Sequence, residues 1–176
     1  MGCWIWQKEP VWIVHHDETG GLYRGYSGGV MYPKKRKKMR EELGLADAII
    51  IGHVGRFHYA KNHEYLIRVF AKLCQMGIRA CGSTAENGAD QDYHLILLGE
   101  GPLMEDTRKL AEELDMADRV HFLGNHKNIA DYYQTMDYFV YPSRYEGMPG
   151  TIVEAQASGL PCLMSDTICR EVIATE

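Results

Sequence analysis

The sequence predicts an α/β fold, a Rossmann-like parallel sheet with helices on both faces. Three observations predict it. From residue 48 onward, short apolar runs alternate five times with longer helical patterns, the order that βαβ units produce. The runs are apolar throughout rather than half polar, as strands covered on both faces are. Each run ends in glycine, proline or small polar residues, which punctuate strand-to-helix turns.

In chain order, residues 1–33 sustain neither a period of 2 nor one of 3.6 and read as an irregular extension, with one strand near 11–14. Pro33 suits a helix start, and a basic helix follows to Leu43, with Gly44 as its stop. Residues 1–47 are therefore set apart from an ordered domain, 48–176. That domain opens with a strand at 48–55. A helix at 61–76 carries Leu66, Val69, Phe70, Leu73 and Cys74 as its inward stripe. A surface loop fills 77–92, and a second strand runs over 94–98. The helix at 102–115 turns Leu103, Leu110, Ala111 and Leu114 inward and pairs Glu105 with Lys109 outside. A strand at 119–123, a short helix at 128–135 and a strand at 138–141, stopped by Pro142, come next. A helix at 151–158 ends at Gly159, and a fifth strand covers 161–164.

Hydrophobic residues at 45% and charged residues at 24% are ordinary for a globular chain and exclude a disordered or collagenous one. No apolar run is long enough to span a bilayer, and residues 1–10 lack the basic start and cleavage site of a signal peptide. Five cysteines without a CxxC pattern read as reduced thiols, and the location expected is cytoplasmic. The net charge is −5, yet Lys34, Lys35, Arg36, Lys37, Lys38 and Arg40 form one basic run. An acidic body with one such run is not a nucleic-acid binder. The run reads as a solvated helix or as a patch for anionic lipid at the inner face of a membrane.

Several motifs fail. Gly25-Tyr26-Ser27-Gly28-Gly29 has the letters of a serine nucleophile elbow without the strand and helix that motif needs. Gly99-Glu100-Gly101 begins like a dinucleotide fingerprint, but Met104 stands at its last glycine, which argues against a dehydrogenase or an epimerase-like Rossmann protein. No glycine-lysine pair supplies a Walker loop. His53, His58 and His63 recur every five residues, lack cysteine or carboxylate support, and read as structural or surface residues.

Two motifs hold. Arg56 at a strand end and Lys61 at a helix start put two cations at one turn, either to clamp a diphosphate or as solvated charges. The segment 142–154 runs from a strand end through a glycine-punctuated loop into a helix, whose first backbone N–H groups form an anion site. Glu146 lies in that loop and Glu154 in the helix. A carboxylate there suits sugar hydroxyls; alternatively, Thr151-x-x-Glu154 is a capping box.

Gly55-Arg56 with Lys61-Asn62-His63, then Leu98-Gly99-Glu100-Gly101-Pro102, Phe122-Leu123-Gly124, Pro142-Ser143-x-Tyr145-Glu146-Gly147 and Glu154-Ala155-x-Ala157-x-Gly159-Leu160-Pro161 follow one another at strand ends. Together they resemble the donor domain, the C-terminal half, of retaining GT-B glycosyltransferases of the family-four group, above all bacterial exopolysaccharide and capsule enzymes. Glu146 and Glu154 match that family's Glu-x7-Glu motif. The resemblance implies that a hexose passes from a nucleotide-sugar, a UDP- or GDP-sugar, to a glycan or lipid-linked acceptor, with no further cofactor and no metal. It implies that Arg56 and Lys61 bind the diphosphate and that Glu146, with the loop backbone at Gly147, Met148 and Gly150, meets the donor sugar. Glu154 would take the ribose, Thr151 and Ile152 would offer N–H groups to phosphate, Gly99 would also belong to the donor site, and the turn near His126 would lie beside the nucleobase. The alternative is a non-catalytic nucleotide-sugar-binding module. The family's acceptor-binding domain and last helices have no counterpart, so the chain is expected to be truncated, inactive alone and dependent on a separate acceptor-binding domain or chain.

Overall fold

A computed structural model describes residues 32–76, 92–165 and 167–168. The expected strand and nucleophile-like motif before residue 32, and the loop expected at 77–92 apart from Asp92, lie outside the described residues. The elements run α1 (Pro33–Glu42), β1 (Ile49–Val54), a 3-10 turn (Tyr59–Lys61), α2 (His63–Met76), β2 (Tyr93–Leu98), α3 (Met104–Glu113), β3 (Val120–Gly124), α4 (Ile129–Tyr133), β4 (Tyr138–Tyr141), α5 (Gly150–Ala157) and β5 (Cys162–Met164). The five strands form one sheet in the order β3-β2-β1-β4-β5, every pair parallel. The order reverses between β1 and β4, which opens a crevice at their carboxyl ends.

The apolar strands divide their side chains between two cores. Ile50, Val54, Ile96, Leu98, Phe139 and Tyr141 face one side, where Tyr133, Ile152 and Leu160 pack on them. Ile51, Leu95, Leu97 and Val140 face the other, under Leu66, Ile67, Phe70, Leu110 and Ala111 of α2 and α3. This alternation on two covered faces is why the strands read as unbroken apolar runs.

The helices adjust the expected pattern. Helix α2 starts at His63, because Asn62 adopts a left-handed conformation (φ 58°) after the 3-10 turn that holds Lys61. Its inward residues are His63, Leu66, Ile67, Phe70 and Ala71, whereas Val69 is 37% exposed. In α3, Leu103 stays outside at 38% exposure and Thr107 turns inward. Glu105 pairs with Arg108 (3.9 Å), one residue earlier than expected.

The basic run is not simply a solvated helix. Lys37 and Lys38 pair with Glu41 and Glu42 on α1, and Lys35 reaches Asp131. Arg36 and Arg40 turn inward instead. Arg36 donates to the Gln134 and Met136 carbonyls (2.8 and 2.6 Å) and to Asp137 (2.5 Å). Arg40 is buried and donates to the Ala46, Ala48 and Thr135 carbonyls and to Asp137 Oδ2 (3.1 Å). Asp137 also accepts from the Ile50 N–H (2.8 Å). These bonds fasten α1 to the turn after α4, at the amino ends of β1 and β4.

Candidate functional site

The site is built at the opposite, carboxyl ends of β1 and β4. Strand β4 ends at Tyr141, whose side chain is fully buried, and Pro142 stops the ladder because it has no N–H. Strand β1 gives way to Gly55, Arg56 and the 3-10 turn. Two bonds tie that turn to the loop after β4. The Arg144 N–H donates to the Ala60 carbonyl (2.7 Å), and the Asn62 amide donates to the Pro142 carbonyl (3.2 Å). The Arg144 guanidinium also lies over the Tyr59 ring at 4.5 Å.

That closure brings Lys61 and Glu146 together. The Lys61 ammonium donates to Glu146 Oε1 (2.6 Å) and to the Tyr141 hydroxyl, and lies 4.7 Å from the centre of the Tyr141 ring. The two charged side chains are 18% and 20% exposed. Burial by itself lowers the Lys61 pKa, but the hydrogen bonds and charges of Glu146 and Tyr141 outweigh it, and the ammonium is held above its ordinary value. Glu146 is fixed further by a parallel bridge to Ile168.

Beneath this pair lies a layer of neutral histidine. His53 and His63 are both buried, with ring centres 4.7 Å apart, edge to face. His63 stacks on Phe57 at 4.0 Å, and His53 Nδ1 sits 2.8 Å from the Val140 carbonyl, which assigns that nitrogen the proton. Burial first, and the nearby Lys61 charge as well, depress both pKa values, to about 4 for His53 and about 2 for His63. His58 is exposed. The regular spacing therefore conceals a pair that meets in space and a third residue outside it.

Helix α5 follows the Glu146 loop with its N-terminus at the crevice. Pro149, in extended geometry, is its N-cap, so Gly150 is the first helical residue and Thr151 already lies inside. The capping box is absent: no side chain caps the helix, and the Thr151 hydroxyl is buried without a partner among the described residues. Ile152 is fully buried, and its N–H is used by the Pro149 carbonyl (3.1 Å). Gly150 and Thr151 thus hold the first-turn N–H groups that have no carbonyl within the helix to reach. Glu154 accepts from the buried Tyr133 hydroxyl instead (3.0 Å).

A separate cleft of about 610 Å³ opens between the ends of β1 and β2 and the start of α4. Arg56 and Gly99 line it with Glu100, Gly101, Asn125 and Ile129. Gly99 has φ +128°, and a Cβ there would overlap the Gly55 carbonyl, so the two turns touch backbone to backbone. His126 packs beside Tyr132 and bonds the Leu123 carbonyl (2.9 Å), and its neighbour Asn125 forms the cleft wall. Gly147 and Met148 are exposed on the loop, Met148 at 72%.

Of the residues singled out in the sequence, Lys61 and Glu146 are joined directly, and Arg56 and Gly99 share the cleft wall. Thr151 and Glu154 are linked through Tyr133, whose hydroxyl also reaches the Thr151 carbonyl (3.2 Å). Sequence reasoning missed Tyr133 and Tyr141, whereas Asn125 lies in the turn near His126 that it had pointed to. The place of Tyr141 directly before Pro142 puts it at the end of β4, but does not tell its hydroxyl from a core ring. Nothing separates Tyr133 from an ordinary core tyrosine. Among the described residues no three His, Cys, Asp or Glu side chains gather as a metal site, and no helix is long and apolar enough to cross a membrane.

Comparison with known proteins gives this arrangement a family. EpsF of Bacillus subtilis, which carries a glycosyltransferase name, is 43% identical over 129 residues, covering 73% of this chain and 30% of EpsF. The UDP-Gal:alpha-D-GlcNAc-diphosphoundecaprenol alpha-1,3-galactosyltransferase of Escherichia coli is 33% identical over 126 residues, 70% of this chain and 30% of the enzyme. The chain therefore spans less than a third of the length of these relatives. The fold is shared with WaaG, a glycosyltransferase involved in lipopolysaccharide biosynthesis (TM-score 0.67, 19% identity, 84% of this chain and 38% of that one). It is also shared with Anabaena HepE, solved in complex with UDP-glucose (TM-score 0.62, 24% identity, 76% and 34%). The sequence model described as "Glycosyl transferases group 1" matches residues 35–175, which takes in every described element but the first residues of α1, and the chain belongs to that family.

Proposed function

We propose that residues 48–176 are the donor-binding part of a retaining glycosyltransferase, which passes a hexose from a UDP- or GDP-sugar to a glycan or lipid-linked acceptor. The observation that carries this reading is the Lys61–Glu146 pair, set at the switch point of the sheet beside the open N-terminus of α5. An ammonium has three N–H donors. Glu146 and Tyr141 take two, and the third is left for a phosphate oxygen. Arg56 brings a second cation from the cleft wall, and the Gly150 and Thr151 N–H groups add the helix dipole. Preorganised donors of this kind stabilise the charge that develops as a nucleoside diphosphate departs. Glu146, bonded to Lys61 through Oε1, keeps Oε2 for a sugar hydroxyl, with the backbone at Gly147 and Met148 alongside. Glu154 accepts from the ribose. The cleft between Gly99 and Asn125, beside His126, takes the nucleobase.

HepE with its bound UDP-glucose and the UDP-galactose enzyme among the relatives support a nucleotide-sugar donor. The retaining outcome rests on the family resemblance. None of the residues assigned here is given to an acceptor, and orienting two reactants in a closed site supplies up to roughly 7–11 kcal/mol of catalysis. The chain by itself is therefore expected to bind donor and to hydrolyse it slowly without making glycan. Titration calorimetry against UDP, GDP and their monophosphates tests the reading. A diphosphate should bind at least tenfold more tightly than its monophosphate, and equal affinities would overturn the assignment of Arg56 and Lys61.

A further inference from the structure

Tyr133 is the last residue of α4, and its place is fixed from three sides. Its side chain is 1% exposed and meets Phe139 edge to face at 5.7 Å. The turn that follows is held by α1: the Tyr32 N–H donates to the Gln134 side chain (2.8 Å), Arg36 donates to the Gln134 carbonyl, and Arg40 donates to the Thr135 carbonyl (2.9 Å). The phenol thus comes from a rigid base and presents one proton to α5. Within reach are the Thr151 carbonyl (3.2 Å) and Glu154 Oε2 (3.0 Å). A carbonyl in the first turn of a helix already accepts from the residue four positions on, and a carboxylate is the stronger acceptor, so the proton serves Glu154. Burial, and then the Glu154 charge, raise the phenol pKa well above its ordinary value, which keeps it a donor.

Glu154 itself is exposed, and among the described residues no cation pairs with it. Left alone, an exposed glutamate samples several rotamers, and a ligand that needs one of them must bear the cost of ordering it. We infer that Tyr133 is a positioning residue for ribose recognition: its hydroxyl anchors one oxygen of Glu154 so that the other is held open toward the ribose hydroxyls of a nucleoside diphosphate. This rests on the assignment of Glu154 to the ribose made above, and adds the residue that makes an exposed carboxylate selective.

Tyr133→Phe keeps the ring and removes only the hydroxyl. The affinities of this variant for UDP and for inorganic pyrophosphate, which has no ribose, are to be measured by calorimetry beside the unsubstituted chain. UDP should bind about 3- to 10-fold more weakly, the size expected for one side chain that is no longer preordered, and pyrophosphate should be unaffected. In a Glu154→Ala background the same substitution should change UDP affinity by less than about twofold, because the partner it serves is gone. Unchanged UDP affinity in Tyr133→Phe would overturn the inference. Equal weakening of UDP and pyrophosphate would overturn it too, since it would show that Tyr133 merely seats the start of α5. If the unsubstituted chain binds neither UDP nor GDP, the donor-site reading falls and takes this inference with it; if it binds GDP rather than UDP, the comparison is made with GDP, and the nucleotide bound equally by both proteins removes the inference alone.

Discussion

Strands β1 and β4 carry a cluster of cation and carboxylate at each end, and the two clusters are finished differently. At the amino ends, Arg36 and Arg40 spend their donors on five backbone carbonyls and on Asp137, which in turn accepts from the Ile50 N–H. At the carboxyl ends, Lys61 and Glu146 face each other above a layer in which His53 Nε2, both nitrogens of His63, the Asn62 side-chain oxygen and the Ser143 hydroxyl are buried without a partner among the described residues. A saturated network can only hold the fold. An unsaturated one leaves polar capacity for something else, and native structures tolerate such groups where function requires them.

The largest effect should come from breaking the saturated end. Asp137→Ala strands the buried Arg40 and the half-buried Arg36, and loss of one partner from a buried pair costs about 3–5 kcal/mol. Urea unfolding should show that loss, with nucleotide affinity of the folded fraction unchanged. A loss under 1 kcal/mol would mean that the arginines find other acceptors.

Acid attacks the other end. His53 and His63 are neutral in the fold, with pKa values near 4 and 2, whereas in the unfolded chain they take up protons below about 6.5. Stability from this source is complete above pH 6.5 and falls as the pH drops toward the folded values. At pH 5 the loss is roughly 2 kcal/mol for each histidine. Unfolding midpoints between pH 7 and 5 measure it, and His63→Phe should remove about half of the slope. A slope unaltered by that substitution would assign the acid sensitivity to carboxylates elsewhere.

Lys61→Ala separates the two ends by readout. It should weaken UDP binding by about 1.5–3 kcal/mol, the worth of a hydrogen bond to a charged group. Unfolding free energy should move by only about 1 kcal/mol, because the pair is partly open to water. A fall in stability larger than the fall in affinity would place Lys61 with the structural cluster. The smallest effect belongs to Glu154→Gln, about 1 kcal/mol in UDP affinity, since a neutral acceptor replaces a charged one. A variant that binds UDP as the unsubstituted chain does would leave Glu154 no role in the ribose site.

Most of the sheet was legible because its strands are covered on both faces. Tyr138–Tyr141 reads correctly to the residue, since four apolar residues run into a proline. The limits of legibility have physical causes. Periodicity placed Val69 and Leu103 inside, but the inward stripe of α2 runs through Ile67 and Ala71 and leaves Val69 off it, and Leu103 precedes the first turn of α3. The basic run looked solvated because the acceptors of Arg36 and Arg40 lie about a hundred residues away in sequence. Thr151 and Glu154 have the spacing of a capping box, yet Pro149 begins the helix two residues earlier than Thr151 would. At the site, the charged residues were visible as motifs. The tyrosines that orient them were not, because a buried phenol and a core ring share one letter.

The contact between Gly99 and Gly55 sets the terms on which this cleft can be redesigned. A side chain at 99 would have to occupy the Gly55 carbonyl, and one at 101 the Phe57 carbonyl, so neither turn has room to give. At Gly147 and Gly150 an added Cβ meets nothing within 4 Å among the described residues. A library that seeks a new donor sugar should therefore leave the β1–β2 wall untouched and place its diversity on the Glu146 loop. There, on the donor-site assignment proposed above, substitutions would change what the sugar meets without moving the backbone assigned to the nucleotide.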